Sequence, residues 1–421
     1  METHGITEII VRLVFEVSFI LLLAKIAGEL TERYLKQPGV LGELVAGIVL
    51  GPYALGSKIH LPHLGPLFRL HTQHGGIPVS PELYSLAQIA VILLLFIAGL
   101  HTDLKQFLRY ARQATVIALG GVIFPFVLGD LVTVWFGFAD GFMHPTALFM
   151  GAALTATSVG ITARVLADIN KLNTPEGVTI LAGAVVDDVM GILVLAIVVA
   201  IAAGGAPSWG HIGWITLKAV GFWAVLMGVG ILVADPLMRF LKRVFQNQGS
   251  VLAVVMAIAF FFSALAEVFG LAMIIGAYAV GLALSKTEDA SWLMEQLEPV
   301  YQIFVPIFFV VMGMMVDLGS MAHAIGFGVA LTVVAVLTKV LGCGIPAVGM
   351  GFNVLGASRI GIGMLPRGEV ALIVAGVAIA KGTIQKDMYG VAVMMTMVTT
   401  LLAPIFLVPL FRNEKSGLKK P

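Results

Sequence analysis

The stretch Gly183-Ala184-Val185-Val186-Asp187-Asp188-Val189-Met190-Gly191 sets two adjacent carboxylates inside an apolar run from about residue 177 to 203. As a helix, that run is about 40 Å long, enough to cross a bilayer core with some tilt. The acid pair lies about 15 Å from its start, close to the membrane midplane. A carboxylate at that depth costs at least about 2.5–3.5 kcal/mol, and here there are two. Successive helical residues do not face each other, so the two acids meet different surroundings. One can line a cavity while the other meets a neighbouring helix.

Working outward, the composition points to the same setting. Hydrophobic residues make up 59% of the chain and charged residues 12%, with a mean hydropathy of +1.01. Soluble domains carry about 25% charge, so the expected class is an all-α polytopic membrane protein with lipid around it. A net charge of +1 leaves no electrostatic footprint for nucleic acid. The single cysteine, Cys343, excludes a disulfide framework within one chain. The opening Met1-Glu2-Thr3-His4 has no basic region before its apolar run, so no cleaved signal peptide is expected.

Apolar segments separated by polar or Gly/Pro-bearing connections give about thirteen spans, near 6–26, 38–56, 82–101, 114–137, 145–166, 177–203, 212–236, 250–268, 270–285, 299–318, 324–349, 354–380 and 386–410. The split at Gly270 rests on a very short connection. Lysine and arginine concentrate in the odd-numbered connections and the tail, among them Arg239, Lys242, Arg243, Arg412, Lys415, Lys419 and Lys420. The N-terminus and even connections hold Lys58, Arg69, Lys381 and Lys386. This asymmetry expects the N-terminus outside and the C-terminus in the cytoplasm, as an odd number of spans requires. After the last span about ten residues of basic tail remain, too few for a nucleotide-binding module.

Thirteen spans divide as six, one and six, the pattern of two inverted halves joined by a linker helix. The fifth span, with Thr155, Thr157, Ser158, Gly160 and Thr162, is rich in small and hydroxyl residues. Its counterpart, the twelfth, carries Gly363-Met364-Leu365-Pro366-Arg367-Gly368-Glu369 at mid-depth. Proline and glycine beside two charges break a helix there, which the membrane tolerates only where the break lines a cavity or protein interior. Paired interrupted helices in matching positions mark a binding site.

The mid-span charges are Glu43, Asp187, Asp188, Glu267, Lys339, Arg367 and Glu369. Asp187 and Asp188 suit a site that exchanges a hard monovalent cation for protons; a structural ion pair is the plainer alternative, but one bridge needs one acid. Lys339 either neutralises an aspartate when the site is empty and yields its proton when a cation arrives, or holds a permanent salt bridge. Arg367 and Glu369 are expected to pair with each other or to tie off backbone groups freed at the break, as support for the site. Thr155, Thr157 and Ser158 offer hydroxyl or carbonyl oxygens to a cation, or simply pack. Glu43 reads as an interior structural acid and Glu267 as a group reaching an interface. His60, His63, His71 and His74 have metal-like spacing, but no acid or cysteine completes a set, so no cofactor is expected. Met312-Gly313-Met314-Met315 reads as packing.

Taken together, these motifs resemble those of the bacterial monovalent cation/proton antiporters of the second branch, most closely the NapA-type sodium/proton antiporters. The carrying residues are Gln37-Pro38-Gly39-Val40-Leu41-Gly42-Glu43-Leu44-Val45-Ala46-Gly47, Ala156-Thr157-Ser158 through Arg164, Val186-Asp187-Asp188, Lys339 and Pro366-Arg367-Gly368-Glu369-Val370. The resemblance implies scaffold and dimerisation helices within 1–113 and 250–323, core helices within 114–203 and 324–410, a linker helix within 204–249 and a basic tail over 411–421. It also implies a homodimer in a prokaryotic cell membrane, whose core slides like an elevator. Asp188 becomes the essential cation and proton ligand, with Thr157 beside a transported sodium ion at the helix crossing. Asp187 becomes the partner of Lys339, and the Asp-Asp pair resembles that of the electrogenic members. The short tail departs from the Kef-type potassium systems.

The leading expectation is therefore exchange of Na+ or Li+ for protons. K+/H+ exchange is the alternative within the class, since nothing in the sequence sets cavity size. A gated cation channel is the alternative from another class, but a buried paired site in inverted halves favours a carrier. An organic-anion symporter would leave a lysine opposite two aspartates unexplained, and no nucleophile–base set suggests an enzyme.

Overall fold

The structure, a computed structural model, describes residues 2–61, 64–71, 77–202, 209–317, 319, 325–380 and 382–419. His63, His74, Lys381 and Lys420 lie outside them, as does the Glu369 side chain. The described residues are mostly helical. The first half comprises α1 (Glu2–Leu30), α2 (Gly39–Leu50), α3 (Pro81–His101), α4 (Leu104–Trp135), α5 (Pro145–Thr155), α6 (Val159–Asp168) and α7 (Pro175–Ala202). After α8 (Trp209–Val244) come α9 (Gln248–Val268), α10 (Met273–Leu284), α11 (Ala290–Met314), α12 (Ile325–Gly349), α13 (Val354–Gly363), α14 (Glu369–Ala380) and α15 (Lys386–Arg412).

With α5–α6 and α13–α14 each counted as one interrupted pass, these helices make the expected thirteen. Among the described residues, nine passes are long and apolar enough to cross a membrane, and α2, α10, α13 and α14 are shorter apolar helices. The short connection at Gly270 is real: its φ of +82°, with Leu271 N–H bonded back to Ala266 O, forms a left-handed helix terminus that glycine adopts without steric cost. Elsewhere local chemistry sets the starts. Ser80 accepts from Leu83 N–H ahead of Pro81, and Asp103 accepts from Lys105 and Gln106.

The inverted repeat shows in element lengths and in how the halves touch. α2 and α10 are each 12 residues long, and both interrupted passes fall in corresponding positions. Several helix pairs approach so closely that only glycine fits, and three of them relate the halves. A Cβ at Gly47 of α2 would lie 2.1 Å from Val310 O of α11, and one at Gly281 of α10 would lie 2.1 Å from Phe96 O of α3. Between α4 and α12, a Cβ at Gly120 would lie 2.1 Å from Gly342 O. A two-fold that exchanges the halves swaps the first two contacts and maps the third onto itself.

Packing groups the helices. α1, α2, α3, α9, α10 and α11 pack on one another, as do α4, α5, α7 and α12 to α15. α6 touches both groups, through α3 and α2 on one side and α7 and α15 on the other. α8 lies along α10 and α7. Past α15 the chain turns back: Asn353 N–H donates to Gly417 O, Asn353 Nδ2 donates to Ser416 O at 2.7 Å, and Phe352 bridges to Leu418. The tail thereby covers a buried ion pair, Arg359 Nη1 to Glu176 Oε1 at 2.5 Å.

Candidate functional site

The two interrupted passes cross at their breaks. At residues 156–158 and 364–368 the chain leaves the helix, so α5 and α13 end, and α6 and α14 begin, in the protein interior. Each break leaves bare carbonyls at a helix C-terminus and bare N–H groups at an N-terminus, carrying partial negative and positive charge. Ser158 N–H donates to Pro366 O at 2.8 Å, joining the two non-helical segments. Thr157 Oγ1 donates to Met364 O at 3.2 Å and Thr162 Oγ1 to Gly363 O at 2.7 Å, so hydroxyls of one broken pass satisfy the carbonyl end of the other. The hydroxyl-rich fifth span breaks without proline because its partner supplies those acceptors.

The opposite carbonyl end is held by cations. Arg367 Nη1 donates to Thr155 O at 3.0 Å and also to Ala156 O. Lys339 Nζ donates to Thr155 O at 2.8 Å and to Gly121 O of α4 at 2.8 Å. Its remaining donor meets Asp187, with Oδ1 at 3.0 Å and Oδ2 at 3.1 Å. An ammonium has three N–H donors, and all three are engaged. Both Lys339 and Arg367 are fully buried, at 0% exposure. α7 thus supplies a carboxylate, α12 a cation and α5 a helix dipole to one polar knot. Such a knot is tolerated in an apolar interior because Asp187 and Lys339 neutralise each other, while Arg367 Nε and Nη2 have no hydrogen-bond partner among the described residues.

Asp188, the next residue on α7, is buried at 5% exposure. Thr157 and Ser158 are each 2% exposed at the crossing. Ser158 Oγ has no hydrogen-bond partner among the described residues. A Cβ at Gly368 would sit 2.7 Å from that oxygen, so glycine is what lets the crossing close. Arg367 thus contacts backbone carbonyls freed at the other break. Glu43 sits away from the crossing, on α2, with its carboxylate 3.9 Å from Arg164 of α6. Glu267 is exposed near the end of α9.

Sequence reasoning passed over several buried polar groups. Arg164 carries a charge into the seam, and its i, i+4 spacing to Asp168 was the readable signal. Asp130, at 4% exposure on α4, lies inside the expected fourth span and was not singled out. The Arg359–Glu176 pair joins residues far apart in sequence and had no local signal at all.

With this geometry established, the chain was compared with known proteins. The family profile described as sodium/hydrogen exchanger, transmembrane, matches residues 18–413. The Na(+)/H(+)-K(+) antiporter GerN of Bacillus cereus is 36% identical over 406 residues, covering 96% of this chain and 98% of that protein. The high-affinity Na(+)/H(+) antiporter NhaS3 of Synechocystis is 36% identical over 418 residues, covering 93% of this chain and 88% of that one. The fold is similar to that of the sodium proton antiporter MjNhaP1 from Methanocaldococcus jannaschii, with a TM-score of 0.67 at 15% identity over 95% of this chain and 96% of that one.

Proposed function

Because this chain belongs to the sodium/hydrogen exchanger family, we propose that it exchanges Na+ or Li+ for protons across a prokaryotic cell membrane, electrogenically and without a resident cofactor. The observation that carries this reading is the crossing of two broken helices beside Asp187, Asp188 and Lys339, buried charges that only a functional site justifies at mid-membrane. Asp188 holds either the cation or protons. Thr157 and Ser158 add oxygen atoms at the crossing, and Lys339 balances Asp187 when the site is empty. Occupied and charge-compensated, the site crosses the low-dielectric barrier far more readily than an empty one.

The helices around the crossing form the moving body and α1 to α3 with α9 to α11 a dimerising scaffold, an elevator arrangement. Support for it comes from the packing, in which α6 is flanked by both groups. The N-terminus is placed outside and the tail in the cytoplasm, following the lysine and arginine asymmetry. Lys36, Lys171 and Arg412, from two connections and the end of α15, line one cavity and therefore lie on one face, as that placement requires.

The test is reconstitution into liposomes with an internal pH-sensitive dye, adding Na+, Li+ and K+ in turn across a pH series. Sodium should drive proton movement in the native chain and fail to do so in Asp188→Asn; wild-type rates in that variant would sink the assignment. Since protons compete for the same carboxylate, acidification should weaken apparent Na+ affinity, and saturating Na+ should restore the rate. A second reading, K+/H+ exchange, is favoured by the name of the GerN relative, and the K+ arm decides it. Flux without proton coupling would instead point to a channel.

A further inference from the structure

α6 carries charge into the seam between the two groups of helices. Arg164 is 5% exposed. Its Nε lies 3.0 Å from Asp168 Oδ1 on the same helix, and its Nη2 lies 3.9 Å from Glu43 Oε1 on α2. The guanidinium carbon stands 4.9 Å from the ring centroid of Tyr301 on α11. One buried cation of α6 is therefore held by an acid and an aromatic ring from the other side of the seam, by a charge contact and a cation–π contact.

Two cavities flank this cluster. On the tail side lies one of about 650 Å³, lined by Glu32, Lys36, Asp168 and Arg412 among others. Deeper in the seam lies one of about 30 Å³, lined by Leu44, Ile161, Gly313 and Arg367. The inner cavity is about the size of one water molecule and reaches an arginine of the helix crossing. Leu44 directly follows Glu43, and Ile161 precedes Arg164 by less than one helical turn. The charged cluster thus sits between the large cavity and the small one.

We propose that Arg164, Glu43, Asp168 and Tyr301 form a latch that shuts the passage from the tail-side cavity to the crossing. The proposal rests on the exchange reading above, because only a chain with an ion site at the crossing needs such a closure. Glu43 and Tyr301 lie across the seam from α6, so any displacement of α6 along α2 and α11 parts them from Arg164. Asp168 travels with Arg164 and keeps the guanidinium paired, which limits the cost of opening. At 3.9 Å the Glu43 contact is longer than a hydrogen bond, as suits a contact made to be broken.

The test places a reporter behind the latch. Ile161→Cys is introduced into the full chain in liposomes, and alkylation by a membrane-impermeant maleimide is timed from the tail side. Cys343 is fully buried, and the chain without Ile161→Cys supplies the background. Labelling should be slow with the latch intact. Adding Glu43→Gln or Tyr301→Leu should speed it at least about tenfold, the factor equal to about 1.4 kcal/mol. An unchanged rate in both variants, or fast labelling with the latch intact, overturns the proposal. If Glu43→Gln fails to fold, Tyr301→Leu, which removes the ring beneath the guanidinium, and Arg164→Gln give the same readout. Labelling reports access rather than transport, so a failure of Asp188→Asn to abolish exchange would sink the exchange reading and leave this result standing.

Discussion

At the scale of single residues, the division of labour between two neighbouring aspartates follows from helix geometry. Asp187 points to Lys339, whose other donors reach Gly121 O and Thr155 O, so Asp187 is tied into a fixed knot. Asp188 is turned away from that contact by its place on the helix. Replacing Lys339 by alanine would leave a buried carboxylate and two carbonyls short of a donor. Losing one partner of a buried pair costs about 3–5 kcal/mol, so Lys339→Ala should lower the thermal unfolding midpoint measurably. Lys339→Gln can still donate to one of the carbonyls and should destabilise less. Under the proposed function, Lys339→Gln should also reduce charge movement more than cation binding, which current recordings on supported membranes beside binding titrations can separate. Equal voltage sensitivity in variant and native chain would count against a titrating lysine.

At the scale of elements, the crossing is a problem in backbone accounting. Four helix ends terminate inside the protein, and the lone hydroxyls and cations described above cover their carbonyls. Thr162→Val removes the donor to Gly363 O while keeping the shape of the side chain. It should cost about 1–3 kcal/mol, the penalty for an unsatisfied buried acceptor, read as a lower unfolding midpoint at unchanged helical content. Arg367→Lys should be worse than its charge conservation suggests. Arg367 Nη1 alone reaches both Thr155 O and Ala156 O, and the ammonium of a shorter, differently shaped lysine stem does not arrive at that position. The measure is the unfolding midpoint together with the exchange rate, and a native-like result in both would mean the carbonyl end needs no guanidinium.

At the scale of the whole molecule, the tail closes one face of the helices around the crossing. A Cβ at Gly417 would lie 2.0 Å from Glu176 Oε1, so the tail lies flat only because this residue is glycine. Gly417→Val should lift the tail off Asn353 and expose the Arg359–Glu176 pair to water, seen as faster proteolysis after Arg412 and a lower unfolding midpoint. Undiminished protection of the tail would show that the strap is held elsewhere. Arg412 also donates to Lys36 O at 3.1 Å, which joins the end of α15 to the turn between α1 and α2.

The thirteen passes, their pairing into two halves, and the places where two passes break were legible in the sequence. Each depends on local properties, namely apolar run length, proline and glycine at mid-depth, and charges where lipid forbids them. Asp187, Asp188, Lys339 and Arg367 stood out for the same reason, since a charge inside an apolar run is visible without any knowledge of contacts. That Asp187 meets the lysine was already implied by the family resemblance, but which carbonyls Arg367 covers and the pairing of Arg164 with Glu43 came only from the tertiary structure. Those partners are separated by up to 212 residues. Their meeting is decided by how closely glycine lets the helices approach, a quantity that no single stretch of the chain contains.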